Sequence, residues 1–283
     1  MKKSAPAPTK SSAPAANPID QKFAQLKKRK EKALVLFIEG GDPSIEVNRQ
    51  TLRYCQEAGV DLVEIGIPFS DPLADGPVIQ AASFRAIEHG TTFAKLMTML
   101  QEERARGLTL PVVVMSSYNP LLAAGLESSA RRMREARVDG IILPDLPHDE
   151  DPSVRRVYAK HGILPILMTT PTTDKRRHEE VLQGSRGFVY YVSLIGLTGI
   201  VKRKNFPFKA HVLGSRRRSA APICVGFGIS TPQDAHAVSR FADGVIIGSA
   251  LVRHLAEHSR TSLSAASRKL IDDLVKAVKS TAK

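Results

Sequence analysis

Tryptophan is absent from this 283-residue chain, cysteine occurs twice, and aromatic residues make up only 5% of it. Two cysteines far apart, Cys55 in an expected helix and Cys224 in an expected strand, do not build a disulfide framework or a thiolate metal site. They read as small buried hydrophobes of a protein kept in a reducing, cytoplasmic setting. No run of 18 or more apolar residues exists, which excludes a helical membrane span, and the charged N-terminus lacks the apolar core of a secretory signal. The few aromatics are not interleaved with basic residues, so the stacking platform of a nucleic-acid binder is missing as well.

Acidic residues are also scarce: 28 Asp and Glu stand against 41 Lys and Arg, a formal charge of +13. The excess is uneven. Residues 1–33 hold nine Lys or Arg and two acids, which leaves +6 for the other 250 residues. The remainder is mildly basic, enough to attract an anionic, phosphorylated small molecule without implying a polyanion or a membrane surface. Residues 1–17, built of Ala, Pro, Ser and Lys, have nothing to pack and are expected to form a disordered tail; residues 18–283 are expected to form one domain.

The most informative stretch is LVEIGIPFSDPLADGPVIQ, residues 62–80. Leu62-Val63-Glu64-Ile65 reads as a short apolar strand with one carboxylate set among aliphatics. A loop follows with turn chemistry at almost every step, from Gly66 and Pro68 through Ser70, Asp71 and Pro72 to Asp75-Gly76-Pro77. Pro77 then suits the first position of a helix, where a missing amide proton costs nothing. Glu64 therefore ends a strand, and Asp71 and Asp75 ride the loop leaving it. Two carboxylates so placed, one rooted and one on a loop, suit acid and base work if their surroundings push their pKa values apart. A charge in the barrel interior paired with Lys or Arg, plus two turn residues, is the plainer alternative.

Around this stretch the chain alternates strand and helix. Strands are expected at Leu34–Ile38, Asp61–Ile65, Leu110–Met115, Gly140–Leu143, Ile163–Met168, Phe188–Val192, Pro222–Val225 and Gly244–Ile247. The helices between them are expected at Ile45–Glu57, Pro77–His89, Phe93–Arg106, Leu122–Ala136, 149–161, Asp174–Gln183, somewhere in 205–215, and Pro232–Arg240, with 250–257 and 262–279 closing the chain. A further helix, capped by Asp20 and running to about Lys32, precedes the first strand and would plug the lower mouth. Eight continuous Val/Ile/Leu strands separated by crossovers argue a parallel α/β sheet closed into an eight-stranded TIM barrel, rather than a doubly wound open sheet.

Two late stretches are rich in backbone donors. Gly226-Phe227-Gly228-Ile229-Ser230 follows the seventh strand, and Gly248-Ser249-Ala250 follows the eighth and opens a helix. Glycines there allow close approach of a phosphate, and the helix N-terminus offers free amides and a positive dipole end. Gly196-Leu197-Thr198-Gly199 after the sixth strand has the glycine hinges and hydroxyl of a closing flap.

Taken together with Gly41-Asp42-Pro43, Tyr118-Asn119-Pro120, Pro144-Asp145-Leu146-Pro147 and Tyr190-Tyr191-Val192-Ser193, the 62–80 stretch closely resembles the tryptophan synthase alpha subunit over residues 34 to about 260. The resemblance implies retro-aldol cleavage of indole-3-glycerol phosphate to indole and glyceraldehyde-3-phosphate in tryptophan biosynthesis. It implies no cofactor or metal in this chain, pyridoxal phosphate being expected only in a partner beta subunit of an alpha2beta2 assembly. By the same resemblance Glu64 is the acid and base at carbon, Asp75 holds the ring N–H, and Tyr190 assists. Phe37 and Ile246 pack the indole, Thr198 and Gly199 close the flap, and Gly226, Gly228, Gly248 and Ser249 carry phosphate. Asp71, Asn119 and Pro120 would face the beta subunit.

Three departures from the family pattern stand out. Glu39-Gly40 replaces a small hydroxyl residue and an aliphatic one, adding a carboxylate beside the indole. Ser117 occupies a position often Tyr, and Ile200-Val201-Lys202-Arg203-Lys204-Asn205 is unusually basic. A free-standing indole-releasing lyase, a catalytically weak regulatory partner of a beta subunit, and another phosphate-binding barrel isomerase are the competing functions; the long carboxylate loop speaks against the last.

Overall fold

A computed structural model describes residues 17–72, 75–193, 208–226 and 228–281. The expected tail up to residue 16, Thr198, Gly199, Phe227 and the basic segment 200–205 lie outside the described residues.

Among the described residues nine short parallel strands form one sheet in the order β5-β4-β3-β2-β1-β9-β8-β7-β6. They are β1 (Ala33–Glu39), β2 (Leu62–Gly66), β3 (Val112–Met115), β4 (Gly140–Ile142), β5 (Leu164–Pro165), β6 (Leu167–Thr169), β7 (Val189–Val192), β8 (Ile223–Gly226) and β9 (Gly244–Ile247). The two ends of that order are halves of the single strand expected at 163–168, so the sheet closes and the fold is a TIM barrel. Proline is the reason for the break. Leu164 and Ile166 donate their N–H groups to Asp139 and Ile141 on the β4 side, whereas Pro165 has no N–H to give toward β7, and pairing there starts only at Leu167 opposite Val189.

Twelve helices surround or cap the sheet among the described residues. The helix α1 (Pro18–Arg29) is capped by Asn17, whose Oδ1 accepts from Ile19 N–H, and not by Asp20, which instead accepts from Gly187 N–H at 2.9 Å. Its Ile19, Phe23 and Leu26 pack into the barrel-interior cluster with Val35, Leu62, Phe188 and Ile246, so α1 does plug the lower mouth. The stretch expected as one helix at 122–136 is two, α5 (Tyr118–Ala123) and α6 (Leu126–Glu135), because Gly125 between them has φ 81° and interrupts the helical register. The ill-defined helix expected in 205–215 is Phe208–Arg218.

One device recurs at the foot of the barrel. Asp61, Asp139 and Asp243 each stand directly before β2, β4 or β9, and each accepts a backbone N–H from the adjoining strand: Leu34 at 2.8 Å, Val112 at 2.9 Å and Ile223 at 3.0 Å. The backbone N–H groups of the same aspartates donate to Leu34, Val112 and Ile223 carbonyls. Each aspartate, buried at Asp61 and Asp139 and half-buried at Asp243, is thereby paired twice over with one neighbouring residue, which fixes strand register at the end remote from the chemistry.

Candidate active site

Alternation along β1 and β2 places Phe37 and Glu64 side by side in register, with Val113 of β3 next to Glu64. Glu64 is fully buried, and neither carboxyl oxygen has a hydrogen-bond partner among the described residues. Burial alone pushes its carboxyl up to about 8, so it carries a proton at neutral pH. The plainer sequence alternative, a barrel-interior charge neutralised by Lys or Arg, is not what forms here: no ion pair reaches Glu64 among the described residues.

Asp75 lies on the loop after β2, half-buried, just before Gly76 and α3 (Pro77–Glu88). Its N–H donates to Pro72 O at 3.0 Å, and Gln80 Nε2 donates to its carbonyl at 2.8 Å, tying it to the first turn of α3. Burial, and after it the charge of Asp145, raises the Asp75 carboxyl to about 6. The two carboxyls are thus held about two pKa units apart in the order an acid and an anion require at neutral pH.

Tyr190 on β7 is 5% exposed and its phenol is pushed well upward by burial, then by the charges of Glu64 and Asp75, which face it. Gly226 on β8 makes its seat: a Cβ there would lie 2.7 Å from the Tyr190 hydroxyl. Ile246 on β9 joins the same interior cluster as Tyr190, while Phe37 packs with Ala82 of α3 and Val252 of α11 (Ser249–His258). The barrel therefore brings Glu64, Asp75, Tyr190, Phe37 and Ile246 together at the C-terminal ends of the strands.

Beside them, Gly248 caps α11 without any side-chain hydrogen bond to its first amides, and Gly228 has φ 74° after β8. An uncapped helix N-terminus beside a glycine turn is the arrangement that binds phosphate. Asp71 and Asn119 are exposed and Pro120 is half-buried, on the adjoining loop and on α5.

Two participants were not singled out by sequence reasoning. Asp145 accepts the Tyr118 N–H through both carboxyl oxygens at 3.0 Å, capping α5 while raising Asp75. Ser83 on α3 donates to Glu39 at 2.6 Å. Two of the three departures enter the wall: Glu39 and Ser117 line a cavity of about 20 Å³ together with Phe37 and Asp75. A much larger cleft, about 1040 Å³, opens at the foot of the barrel between α1 and the stretch 183–187, and none of Glu39, Glu64, Asp75, Asp145 and Tyr190 lines it.

The family model for the tryptophan synthase alpha chain matches residues 23–282. Among solved structures, a tryptophan synthase alpha chain from Legionella pneumophila subsp. pneumophila is 36% identical with a TM-score of 0.83, covering 93% of this chain and 98% of that one. The alpha subunit from Legionella pneumophila str. Paris is 37% identical with a TM-score of 0.85, covering 94% and 100%. Tryptophan synthase from Mycobacterium tuberculosis is 30% identical with a TM-score of 0.82, covering 93% and 99%. With nearly its whole length matched and its carboxyl pair at the expected end of the barrel, the chain belongs to the tryptophan synthase alpha chain family.

Proposed function

We propose that this chain, by family a lyase of tryptophan biosynthesis, acts on indole-3-glycerol phosphate and that Glu64 and Asp75 divide the chemistry between them. The observation that carries this is the buried, proton-bearing Glu64 with no partner for either oxygen. Glu64 delivers its proton to indole C3, giving an indolenine whose positive ring nitrogen is held by ionised Asp75. The bond from C3 to the glycerol chain then breaks. Its electron pair restores the ring double bond, the neighbouring hydroxyl becomes the aldehyde, and its proton returns to Glu64. The ring itself is the electron sink, so the step is balanced without a metal or cofactor contributed by this chain.

Tyr190 supports this from beside Glu64, Phe37 and Ile246 flank the ring, and Gly226, Gly228, Gly248 and Ser249 receive the phosphate. Thr198 and Gly199 complete the proposal as a closing flap. The exposed Asp71 and Asn119, with Pro120, face a beta subunit that takes up the indole; the relatives from Mycobacterium tuberculosis, solved as tryptophan synthase, support such a partner. Indole release from indole-3-glycerol phosphate by the purified protein, alone and with a beta subunit added, tests the reading. Slow release alone and faster release with the partner is expected. Fast release without a partner makes the chain free-standing, and no release in either condition overturns the assignment.

A further inference from the structure

Glu39 is the carboxyl at the barrel mouth that the proposed chemistry leaves unused. It ends β1 two residues beyond Phe37, so alternation turns both toward the same face, and it is 2% exposed. Ser83 Oγ donates to its Oε1 at 2.6 Å. Its Oε2 has no hydrogen-bond partner among the described residues and lies over Gly66, where an added Cβ would sit 2.2 Å from it. No cation among the described residues neutralises Glu39: Arg85, on the same helix as Ser83, is committed to Asp42 at 2.7 and 2.9 Å. Burial, opposed by the Ser83 bond and reinforced by the charges of Asp75 and Asp42, raises the group to about 8. A neutral carboxyl of this kind can donate as well as accept a hydrogen bond.

A carboxyl at the barrel mouth with one oxygen held by Ser83 and the other engaged by no described donor calls for an explanation. Here the cavity it lines supplies one. That space holds about 20 Å³, the room of one water, and its wall joins Glu39, Asp75, Ser116 and Ser117 to the apolar Phe37 and Met115. An apolar cavity favours a methyl group over a hydroxyl of similar size only weakly, whereas a cavity with a hydrogen-bonding group left unpaired by the methyl analogue disfavours that analogue strongly. We propose that Glu39 is a specificity-determining residue, which gives the ring cavity a hydrogen-bonding position besides Asp75 and selects an indole ring bearing a hydroxyl or amino substituent over one bearing a methyl. The proposal rests on the reading that the indole ring lies against Phe37 with its N–H on Asp75, so that a single substituent on the ring reaches this water-sized space.

The test is equilibrium binding of hydroxyindoles and methylindoles substituted at carbons 4 to 7, read by indole fluorescence, which no tryptophan of this chain obscures. The intact protein is expected to prefer the hydroxyl at one ring position or more by about tenfold or greater. Glu39→Gln, which keeps shape and a hydrogen-bonding amide, is expected to retain most of that preference, and Glu39→Val to lose it. Equal affinity for hydroxyl and methyl at every position in the unmodified protein overturns the proposal without recourse to any variant. So does a full preference in Glu39→Val. Absence of binding by plain and substituted indoles alike overturns both this proposal and the ring-site reading. A hydroxyl preference without cleavage of indole-3-glycerol phosphate leaves the proposal standing and overturns the activity alone.

Discussion

At Glu64, function and stability pull in opposite directions. Its carboxyl is raised from 4.5 to about 8 in the folded chain, so between those pH values the native state holds a proton that the unfolded state has lost. Native protein then binds more protons than unfolded, and stability falls as pH rises through that window. Glu64→Gln removes the group that has to be kept neutral. It should raise the melting temperature more at pH 8 than at pH 5, a difference on the order of a few kcal/mol at about 1.4 kcal/mol per pKa unit. Thermal melts at the two pH values check this, and an equal change at both removes the burial argument. In the same variant, turnover should fall by about two to four orders of magnitude while phosphate binding survives, since shape is kept and the transferable proton is lost. Unchanged turnover would falsify the role given to Glu64. The pH profile of kcat/KM should rise through about 6 as Asp75 ionises and fall through about 8 as Glu64 loses its proton. Asp75→Asn should erase the acidic limb; persistence of that limb would assign it elsewhere. That Glu64 would be buried was legible in the sequence, as a lone carboxylate in an aliphatic strand, but that no Lys or Arg among the described residues pairs with it was not. Nor was the state of Glu39, because it depends on Ser83, 44 residues away, and on the bare backbone of Gly66.

Strands and helices were legible wherever their own residues decided them. The positions of β2 and β9 follow from short aliphatic runs between turn residues, and the N-terminus of α3 follows from Gly76-Pro77. The elements that departed did so for reasons of pairing or single dihedrals: Pro165 splits a strand only in view of which neighbour each N–H serves, and Gly125 divides α5 from α6 through a positive φ. The helix α11 permits a test that separates element from site. An acidic residue in a first turn favours the helix by about 0.3–1 kcal/mol, because it meets the positive end of the dipole. The same charge repels a bound phosphate. Ser249→Asp should therefore leave stability equal or slightly higher while raising KM for indole-3-glycerol phosphate roughly tenfold or more, with kcat changed far less. A fall in melting temperature with KM unchanged would show that Ser249 serves the helix and not the phosphate.

On the scale of the whole molecule, the barrel separates a foot that holds register from a mouth that carries chemistry. The foot is where α1 fills the interior and Asp61, Asp139 and Asp243 pin neighbouring strands; the mouth is where the unpartnered Glu64 carboxyl sits. A partner that receives indole has to dock at the mouth, and α5 offers it a surface. Asn119 is exposed there, and Leu122 is 52% exposed, a large apolar side chain on a six-residue helix that follows the Ser117 wall of the ring cavity. A single exposed leucine is ordinary on a monomer, but one beside exposed Asn119, Ala123 and Ala124 at the proposed interface suits the buried anchor of a protein contact. Leu122→Asp should leave indole release by the isolated chain within about twofold of the unmodified protein, since Leu122 touches neither acid. It should weaken activation by an added beta subunit by roughly tenfold or more in the concentration required. Titrating the beta subunit against both proteins and reading indole release decides it: an unchanged half-activating concentration moves the docking surface away from α5, and a loss of turnover in the isolated chain shows that α5 shapes the ring cavity instead.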